Sequence, residues 1–544
     1  MHKAKMKTFG LSMRGASIIV GALSFLLVLS TITGCTALNI KPKVDEFVDT
    51  YLKNGQLCGA ILIAKDGKIL LNMGYGMVNY ERDVPNTLQT IFRLDSVTKH
   101  LSGMATMQIL SIPTTETAQY IESKVDEYIG AHLKMERFSG SVLIAKDEEI
   151  LLKKGYGMAN YEHDVPNTPQ TKFRLGSITK QFTSMTIMQL QEKGLLNVND
   201  PIKKYITDYP NGEKITIHHL LTHTSGIPSF TSFPNYRETM MLLSPAEKTI
   251  ERFKDKPLEF MPGEKYKYSN SGYILLGNII EKVSKKSYEE YLKENIFHPL
   301  NMINTGYDHH SPLMRHRASG YSSSSDGLIN VPYIDMSIPH GAGALYSTVE
   351  DLYIWDRALY TEKLVSKSTL ERIFTPFKEN YGYGWQITES FNHKHISHGG
   401  GINGFRTYIS RYVDDDVCII VLSNFEHSPT QKISNDLAAI VFGENYELPK
   451  ERKAIKVDPK IYDAYVGQYE FSPEFIAMIT KENNSLFIQA TGQPKFEIFP
   501  ESKDKFFLKA FDAQISFIMN DKGEVTQLIL HQGGEDMTAK KIKK

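Results

Sequence analysis

The spacing of apolar and polar residues divides most of the chain into two kinds of segment. From Leu195 to about Phe442, apolar positions at helical spacing alternate with polar loops, and the last runs suit strands. From Tyr462 onward, short runs that alternate apolar and polar residues are separated by Asn-Asn, Asp-Lys-Gly and Gly-Gly, which favour turns. We therefore predict an α+β domain followed by a small antiparallel β domain. The polar run from Ser322 to Asp326 is predicted to be a flexible loop.

The beginning of the α+β domain occurs twice in the sequence. The segment that starts at Lys43 returns from Lys124 at a constant offset, and more than half of the aligned positions are identical. Each copy has the pattern of a helix, an antiparallel hairpin, a proline-containing loop and the start of another helix. Because one sheet edge cannot accept both hairpins, we predict that the second copy belongs to the complete domain. Residues 41–112 are then an appended partial duplicate.

The N-terminus has the order of residues that marks an export signal. Basic residues precede an apolar run over residues 16–32, and Cys35 follows a threonine and a glycine. The residues before Cys35 resemble the lipobox of bacterial lipoproteins, which implies a signal peptide over residues 1–35 and a lipid on Cys35. An ordinary cleaved signal and an uncleaved anchor helix are the alternatives. All three place the bulk of the protein outside the cytoplasmic membrane, and lipidation would tether it to the outer face of the bacterial cell membrane.

Charge and cysteine content argue against several kinds of partner. The chain has 544 residues, with 62 Lys and Arg against 62 Asp and Glu, so no overall field favours nucleic acid. Its three cysteines match neither a disulfide scaffold nor a zinc pattern. His219 and His223 have the spacing of a zinc-binding helix, but Leu220 replaces the glutamate of H-E-x-x-H. We expect core or capping histidines there, with no metal or other cofactor.

The motif Ser177-Ile178-Thr179-Lys180 stands at the start of an apolar helix. Residues three apart share a helix face, so Lys180 can accept the proton of the Ser177 hydroxyl if burial lowers its pKa. Alone, the motif is also compatible with an N-cap serine and a solvent-exposed lysine. The first copy repeats it as Ser96 and Lys99, but Asp95 places a carboxylate where an oxyanion would form. The second copy is therefore the predicted catalytic one.

Two further elements supply groups that amide or ester hydrolysis needs. Tyr268 and Asn270 lie in a polar turn before an amphipathic helix. A nearby lysine ammonium is expected to lower the pKa of Tyr268 and let it relay a proton, while the Asn270 amide can pair with a substrate amide. His398 precedes glycines that open a β segment, where Gly400 and Gly401 allow the backbone to approach a substrate.

In this order, the S-x-x-K, Y-x-N and H-x-G motifs resemble those of the penicillin-recognising serine hydrolases. That family includes class C β-lactamases, D,D-carboxypeptidases, D-amino-acid peptidases and esterases. The resemblance implies an antiparallel sheet flanked by helices with an all-helical subdomain, over residues 122–448. The trailing domain, residues 455–544, resembles the lipocalin-like modules appended to some members.

The resemblance also implies roles for the matched residues. Ser177 would form the acyl-enzyme, while Lys180 and Tyr268 would shuttle protons, with either one as the base. The N–H groups of Ser177 and Gly401 would form the oxyanion hole. The residues implied in substrate binding are Asn270, His398, Gly400 and Gly401, with His398 where many relatives have a lysine facing the substrate carboxylate.

A histidine at position 398 changes the expected substrate. A neutral imidazole binds a carboxylate less strongly than an ammonium does, which disfavours β-lactam hydrolysis. We therefore expect a membrane-tethered hydrolase of D-amino-acid peptides or related amides and esters, with peptidoglycan stem peptides among its partners and β-lactams able to bind. A class C-like β-lactamase, a carboxylesterase, and a non-catalytic surface binder of the same fold are the alternatives.

Overall fold

The structure is a computed structural model in which two compact units are distinguished, residues 1–113 and 114–544. The residues that it describes are 41–53, 59–65, 68–79, 84–87, 90, 116–324, 327–450, 452–473, 475–493, 495–509, 513–532 and 535–543. The predictions for Cys35, Ser96 and Lys99 lie outside these ranges. Over the described ranges, every helix is too short or too polar to traverse a bilayer.

The first unit contains the helix and the hairpin predicted for the first copy. Its elements are helix α1 (Lys41–Lys53) and strands β1 (Gly59–Lys65), β2 (Lys68–Tyr75), β3 (Met77–Asn79) and β4 (Val84–Pro85). Strands β1 and β2 pair with each other, and α1 packs on them through a small apolar cluster. In the described part of this unit β1 pairs with no other strand, and Leu62 on it is 59% exposed.

The second unit is built on an antiparallel sheet whose strand order is β14-β15-β16-β17-β5-β6. The strands of this unit before its C-terminal barrel are β5 (Gly140–Lys146), β6 (Glu149–Tyr156), β7 (Met158–Asn160), β8 (Val165–Pro166), β9 (Phe173–Arg174), β10 (Gly306–Tyr307), β11 (Tyr321–Ser324), β12 (Gly327–Asn330), β13 (Leu345–Ser347), β14 (Gln386–Ser390), β15 (His393–Ile402), β16 (Phe405–Tyr412) and β17 (Val417–Ser423).

The helices of this unit complete the α+β fold. They are α2 (Glu116–Lys134), α3 (Thr179–Glu192), α4 (Ile217–Leu221), α5 (Tyr236–Thr239), α6 (Ala246–Glu251), α7 (Asn270–Ser284), α8 (Tyr288–Leu292), α9 (His298–Leu300), α10 (His340–Gly343), α11 (Val349–Ala358), α12 (Lys367–Ile373), α13 (Thr430–Phe442) and α14 (Tyr462–Tyr465). The run from α4 to α9 has no strand among its described residues and matches the predicted helical subdomain.

Both faces of the central strands are buried, which explains their continuous apolar sequences. On β17, Cys418 and Ile420 join the core that contains α3 and α11, whereas Ile419 and Val421 join the core that contains α2 and α13. Successive side chains of a strand point to opposite faces, so two helical layers cover one sheet. Strand β5 pairs with β17, and Leu143, the counterpart of the exposed Leu62, is fully buried there.

One local prediction is wrong. The segment predicted to be a flexible loop instead supplies strand β11, which pairs with β12 from Tyr321 opposite Asn330 to Ser324 opposite Gly327. The Tyr321 amide also donates to the Asn424 carbonyl at 2.9 Å, so the strand is tied to the main body.

The C-terminal segment forms a closed antiparallel barrel, which confirms the predicted β domain. Its strands are β18 (Gly467–Ser472), β19 (Phe475–Glu482), β20 (Ser485–Ala490), β21 (Lys495–Pro500), β22 (Lys505–Leu508), β23 (Ala513–Met519), β24 (Val525–Gln532) and β25 (Glu535–Lys543). Strand β18 pairs with both β19 and β25, which closes the barrel. Closure removes the exposed strand edges that an open sheet would present.

Candidate active site

Ser177 lies in a tight 3₁₀ turn, Gly176–Ile178, that leads directly into α3. Gly176 has φ +54°, a conformation that side chains disfavour. A Cβ at this position would lie 2.8 Å from the backbone nitrogen of Gly401 on β15. A glycine is therefore needed for both the turn and the close approach of the two backbones.

Lys180 is buried beneath Ser177 rather than exposed to solvent. Its Nζ lies 3.0 Å from Ser177 Oγ, 2.9 Å from Asn270 Oδ1 and 2.9 Å from the carbonyl oxygen of Ala342. No carboxylate of a described residue lies within 4.0 Å of it, so nothing balances a charge on the amine. Burial lowers the pKa of Lys180 well below its usual value. The geometry thus favours an amine that can accept the Ser177 proton.

Tyr268 is also at the site, but its acidity differs from the prediction. Lys180 Nζ lies over the face of the Tyr268 ring, 4.9 Å from its centroid. Burial raises the pKa of Tyr268, and the nearby Ser177 hydroxyl opposes part of that rise. The prediction that the lysine lowers the pKa of Tyr268 is therefore wrong. Burial disfavours the charged form of each group, so the Lys180 amine carries too little charge to offset the rise in the Tyr268 pKa.

Asn270 links Lys180 to Thr231 through its side-chain amide. Its Oδ1 accepts from Lys180, and its Nδ2 donates to Thr231 Oγ1 at 3.1 Å. These bonds fix the orientation of the amide. Asn270 begins α7, so the helical subdomain positions one partner of the lysine.

His398 lies on β15 near Tyr268, and both of its ring nitrogens are engaged within the protein. Nδ1 lies 2.6 Å from the carbonyl oxygen of Gly399, so Nδ1 must carry the hydrogen. Nε2 then accepts from the Tyr381 hydroxyl at 2.8 Å. Burial lowers the pKa of His398 to about 4, and Lys180 adds to this lowering. The ring is neutral and offers no free nitrogen to a substrate carboxylate.

The two glycines predicted to bind substrate occupy different positions. Gly401 borders the cavity beside Ser177. Gly400 faces inward, where a Cβ would lie 2.0 Å from the Leu175 carbonyl oxygen. Thr407 Oγ1 donates to that same oxygen at 2.7 Å. A glycine is needed at position 400 because β15 packs closely against the segment that leads into the Ser177 turn.

A cavity of about 300 Å³ opens at Ser177, and neither Tyr268 nor His398 lines it. Its wall combines apolar side chains with polar and charged ones. The residues that line it include Ser177, Asn270, Gly401, Arg406 and Glu426. Such a mixed lining suits a substrate that carries several polar groups.

The histidines of α4 and the following turn are structural, as predicted. His219 forms a capping box with Thr216 at the start of α4. His223 is buried, its Nδ1 accepts from the Ser269 amide at 3.1 Å, and its ring lies 4.2 Å from the Tyr268 ring. Among the described residues there is no group of His, Cys, Asp or Glu side chains that could hold a metal ion.

Sequence reasoning treated His223 only as a core or capping residue, and it missed two other contributors to the site. Tyr381 holds His398, Ala342 accepts from Lys180 through its carbonyl, and His223 supports the Tyr268 loop. Of these, only His223 had a signal in the sequence, its spacing from His219 just before a glycine-containing turn. The other two depend on contacts between distant parts of the chain.

Comparisons with known proteins agree with this geometry. Residues 121–442 match the family described as beta-lactamase, and residues 451–542 match a domain of unknown function, DUF3471. A penicillin-binding protein of Bacillus subtilis (strain 168) is 32% identical over 428 residues, covering 74% of this chain and 94% of that protein. The teichoic acid D-alanine hydrolase of Staphylococcus aureus is 29% identical over 305 residues, covering 55% and 73%.

A solved structure extends the comparison through most of the chain. The octameric penicillin-binding protein homologue from Pyrococcus abyssi is 30% identical, with a TM-score of 0.56, and covers 77% of this chain and 99% of its own. The expected fold class is thereby confirmed. By the match over residues 121–442 and by these relatives, the chain belongs to the beta-lactamase family of serine hydrolases.

Proposed function

We propose that this chain hydrolyses D-amino-acyl peptide, amide or ester bonds through an acyl-enzyme on Ser177. The observation that carries the proposal is the 3.0 Å contact between Ser177 Oγ and a buried amine that lacks a nearby carboxylate. A serine hydroxyl becomes a useful nucleophile only when an adjacent group takes its proton. Since burial lowers the pKa of Lys180 and raises that of Tyr268, Lys180 is the better base.

The proposed reaction has two halves. Ser177 Oγ attacks the substrate carbonyl while its proton passes to Lys180, and the N–H groups of Ser177 and Gly401 stabilise the oxyanion. The proton then reaches the leaving amine or alcohol, either from Lys180 or through Tyr268, and the bond to the leaving group breaks. A water molecule attacks the resulting ester, again giving a proton to the base, and the acid product leaves with Ser177 restored.

The relatives support a D-alanyl substrate. One is named as a penicillin-binding protein and another as a teichoic acid D-alanine hydrolase, so both peptide and ester bonds to D-alanine are candidates for this chain. The engaged state of His398 disfavours strong binding of a β-lactam carboxylate. We expect β-lactams to acylate Ser177 and to be released slowly.

Turnover assays on three substrate classes test this proposal. Purified protein is offered a D-Ala-D-Ala peptide, a D-alanyl ester and nitrocefin, with Ser177→Ala as the control. We expect D-alanine release from the first two and little nitrocefin turnover, with all activity lost in the control. Activity that survives Ser177→Ala would remove this serine from the mechanism, and rapid nitrocefin turnover would favour a β-lactamase.

We also propose that the protein is exported and held at the membrane by a lipid on Cys35. The support is the order of basic, apolar and small residues before this cysteine. Metabolic labelling of bacterial cells with an alkyne fatty acid should tag the wild-type protein and not Cys35→Ser. Equal labelling of both would show that Cys35 is not the lipid site.

A further inference from the structure

Arg406 stands directly across from Gly401 in the sheet. The two residues are paired in register on β16 and β15, so a side chain on either would point to the same face. Gly401 has none, and a Cβ there would lie 2.2 Å from Arg406 Nη1. The guanidinium therefore lies over the residue that would supply an oxyanion N–H, and it borders the same cavity as Ser177.

Most of the hydrogen-bonding capacity of this exposed guanidinium is not used within the protein. Nε donates to the backbone carbonyl of Glu426 at 2.7 Å, which fixes the plane of the group. In the described part of the chain, no carboxylate lies within 4.0 Å of the Arg406 nitrogens, and neither Nη group donates to a protein acceptor. Five N–H donors in a rigid fork, four of them free, suit an oxygen anion bound in bidentate fashion.

The position of the cavity indicates which part of a substrate Arg406 would meet. The groups that can protonate a leaving group are Lys180 and Tyr268, and neither borders the cavity. The leaving group must depart towards those groups. The cavity, which neither of these two residues lines, is then left for the acyl part of the substrate.

We propose that Arg406 selects substrates whose acyl part carries an anionic group, above all a carboxylate. This inference rests on the proposed function and narrows it. A D-alanyl ester of a phosphate polymer has only D-alanine on the acyl side, whereas a peptide that ends in D-Ala-D-Ala can present a carboxylate there. Arg406 therefore favours acidic peptides over small D-alanyl esters as substrates.

Glu426 provides an opposing charge within the same cavity. Its side chain borders the cavity, and its negative charge attracts the exposed Arg406 guanidinium. An anionic substrate is attracted by Arg406 and repelled by Glu426. Removing the Arg406 charge should therefore lower the preference for an anionic substrate, and removing the Glu426 charge should raise it.

The test uses two ligands that differ only in acyl charge, N-glutaryl-D-Ala-D-Ala and its glutaryl carboxamide. The ratio of their kcat/KM values, from release of D-alanine, is compared for the wild type, Arg406→Gln and Glu426→Gln. Arg315→Gln is the matched control, because Arg315 is an exposed arginine that does not border the cavity. We expect the wild type to prefer the carboxylate about tenfold or more, as for hydrogen bonds to charged groups.

The ratio should fall to one or below in Arg406→Gln, where Glu426 still repels the anion, rise in Glu426→Gln, and stay unchanged in Arg315→Gln. High salt should weaken the wild-type preference. D-Alanine release without a preference, or with the same preference in Arg406→Gln, would overturn the role of Arg406 and leave the proposed function standing.

Binding measurements keep the two questions separate. If no variant releases D-alanine, the proposed function fails, and calorimetry on Ser177→Ala decides the role of Arg406. Tighter binding of the carboxylate ligand that disappears when Arg406→Gln is added would support the anion site. Equal binding of the two ligands, or binding of neither, would contradict it.

Discussion

Tyr381 Oη lies 2.8 Å from His398 Nε2, and this bond fixes the state of the histidine. The Gly399 carbonyl oxygen requires a hydrogen on Nδ1, so Nε2 is the acceptor and Tyr381 the donor. The ring is thus locked as one neutral tautomer. The family resemblance implied that His398 faces a substrate carboxylate. In the structure, His398 instead links strand β15 to the segment that carries Tyr381.

Replacing Tyr381 with Phe should therefore destabilise the fold. The substitution leaves a buried Nε2 without a donor, which costs about 1–3 kcal/mol. Tyr383→Phe is the matched control, because the Tyr383 hydroxyl bonds to His218, which is partly exposed and can bond to water instead. Urea denaturation measures both variants, and equal losses of unfolding free energy would contradict the proposed lock.

The proposed role of Lys180 depends on its ability to lose a proton. Lys180→Met should slow acylation of Ser177 by a factor of about 10²–10⁴, as expected for loss of a general base. Labelling with a fluorescent penicillin, followed over time, measures this rate.

Lys180→Arg separates a base from a simple positive charge. A guanidinium keeps its proton, so this variant should label no faster than Lys180→Met. Ser177→Ala gives the background, and circular dichroism checks that each variant folds. Labelling of Lys180→Arg at nearly the wild-type rate would contradict the assignment of Lys180 as the base.

Several features of the site follow from local sequence. The three-residue spacing of Ser177 and Lys180 places them on one side of a helix start, and the structure finds them in contact. The continuous apolar runs of β5 and β17 reflect burial on both faces. These features were predictable because each depends on residues close in sequence or on a simple period.

Other features depend on long-range packing. The Ala342 carbonyl reaches Lys180 only because α10 packs beside α3, and a backbone oxygen leaves no mark in the sequence. Tyr381 precedes β14, bridges to Gln386 and so meets His398 of β15, with no motif around it. Strand β11 forms in a serine-rich run because Gly327–Asn330 provides a pairing partner, which outweighs the intrinsic preference of serine for loops.

Acid should weaken the fold through His132 on α2. This histidine is buried with neither ring nitrogen paired, and burial lowers its pKa to about 3. At pH values between about 3 and 6.5, His132 binds a proton in the unfolded chain but not in the folded chain. Above pH 6.5, His132 is neutral in both states and the free energy of unfolding is unaffected. As the pH falls below 6.5, the unfolded chain gains a proton at His132, and the free energy of unfolding decreases.

His132→Leu removes this pH-dependent loss. From pH 7.5 to 5.0, the unfolding free energy of the variant should improve relative to the wild type by about 2 kcal/mol. Urea denaturation at the two pH values measures the difference. His163→Gln, a change at an exposed histidine, is the control and should follow the wild type. Parallel pH dependences of His132→Leu and wild type would contradict the prediction.

The last prediction separates backbone strain from close approach at Gly176. Both Gly176 and Gly194 have positive φ, +54° and +68°, but a Cβ at Gly194 would meet nothing within 4 Å. Gly194→Ala should therefore cost only the strain, about 1–2 kcal/mol of unfolding free energy, and leave penicillin labelling unchanged. Gly176→Ala adds a contact at 2.8 Å with the Gly401 nitrogen, so β15 must shift away from Ser177. Loss of that oxyanion donor should slow labelling about 10²-fold or more. Equal labelling rates for the two variants would show that Gly401 does not assist acylation.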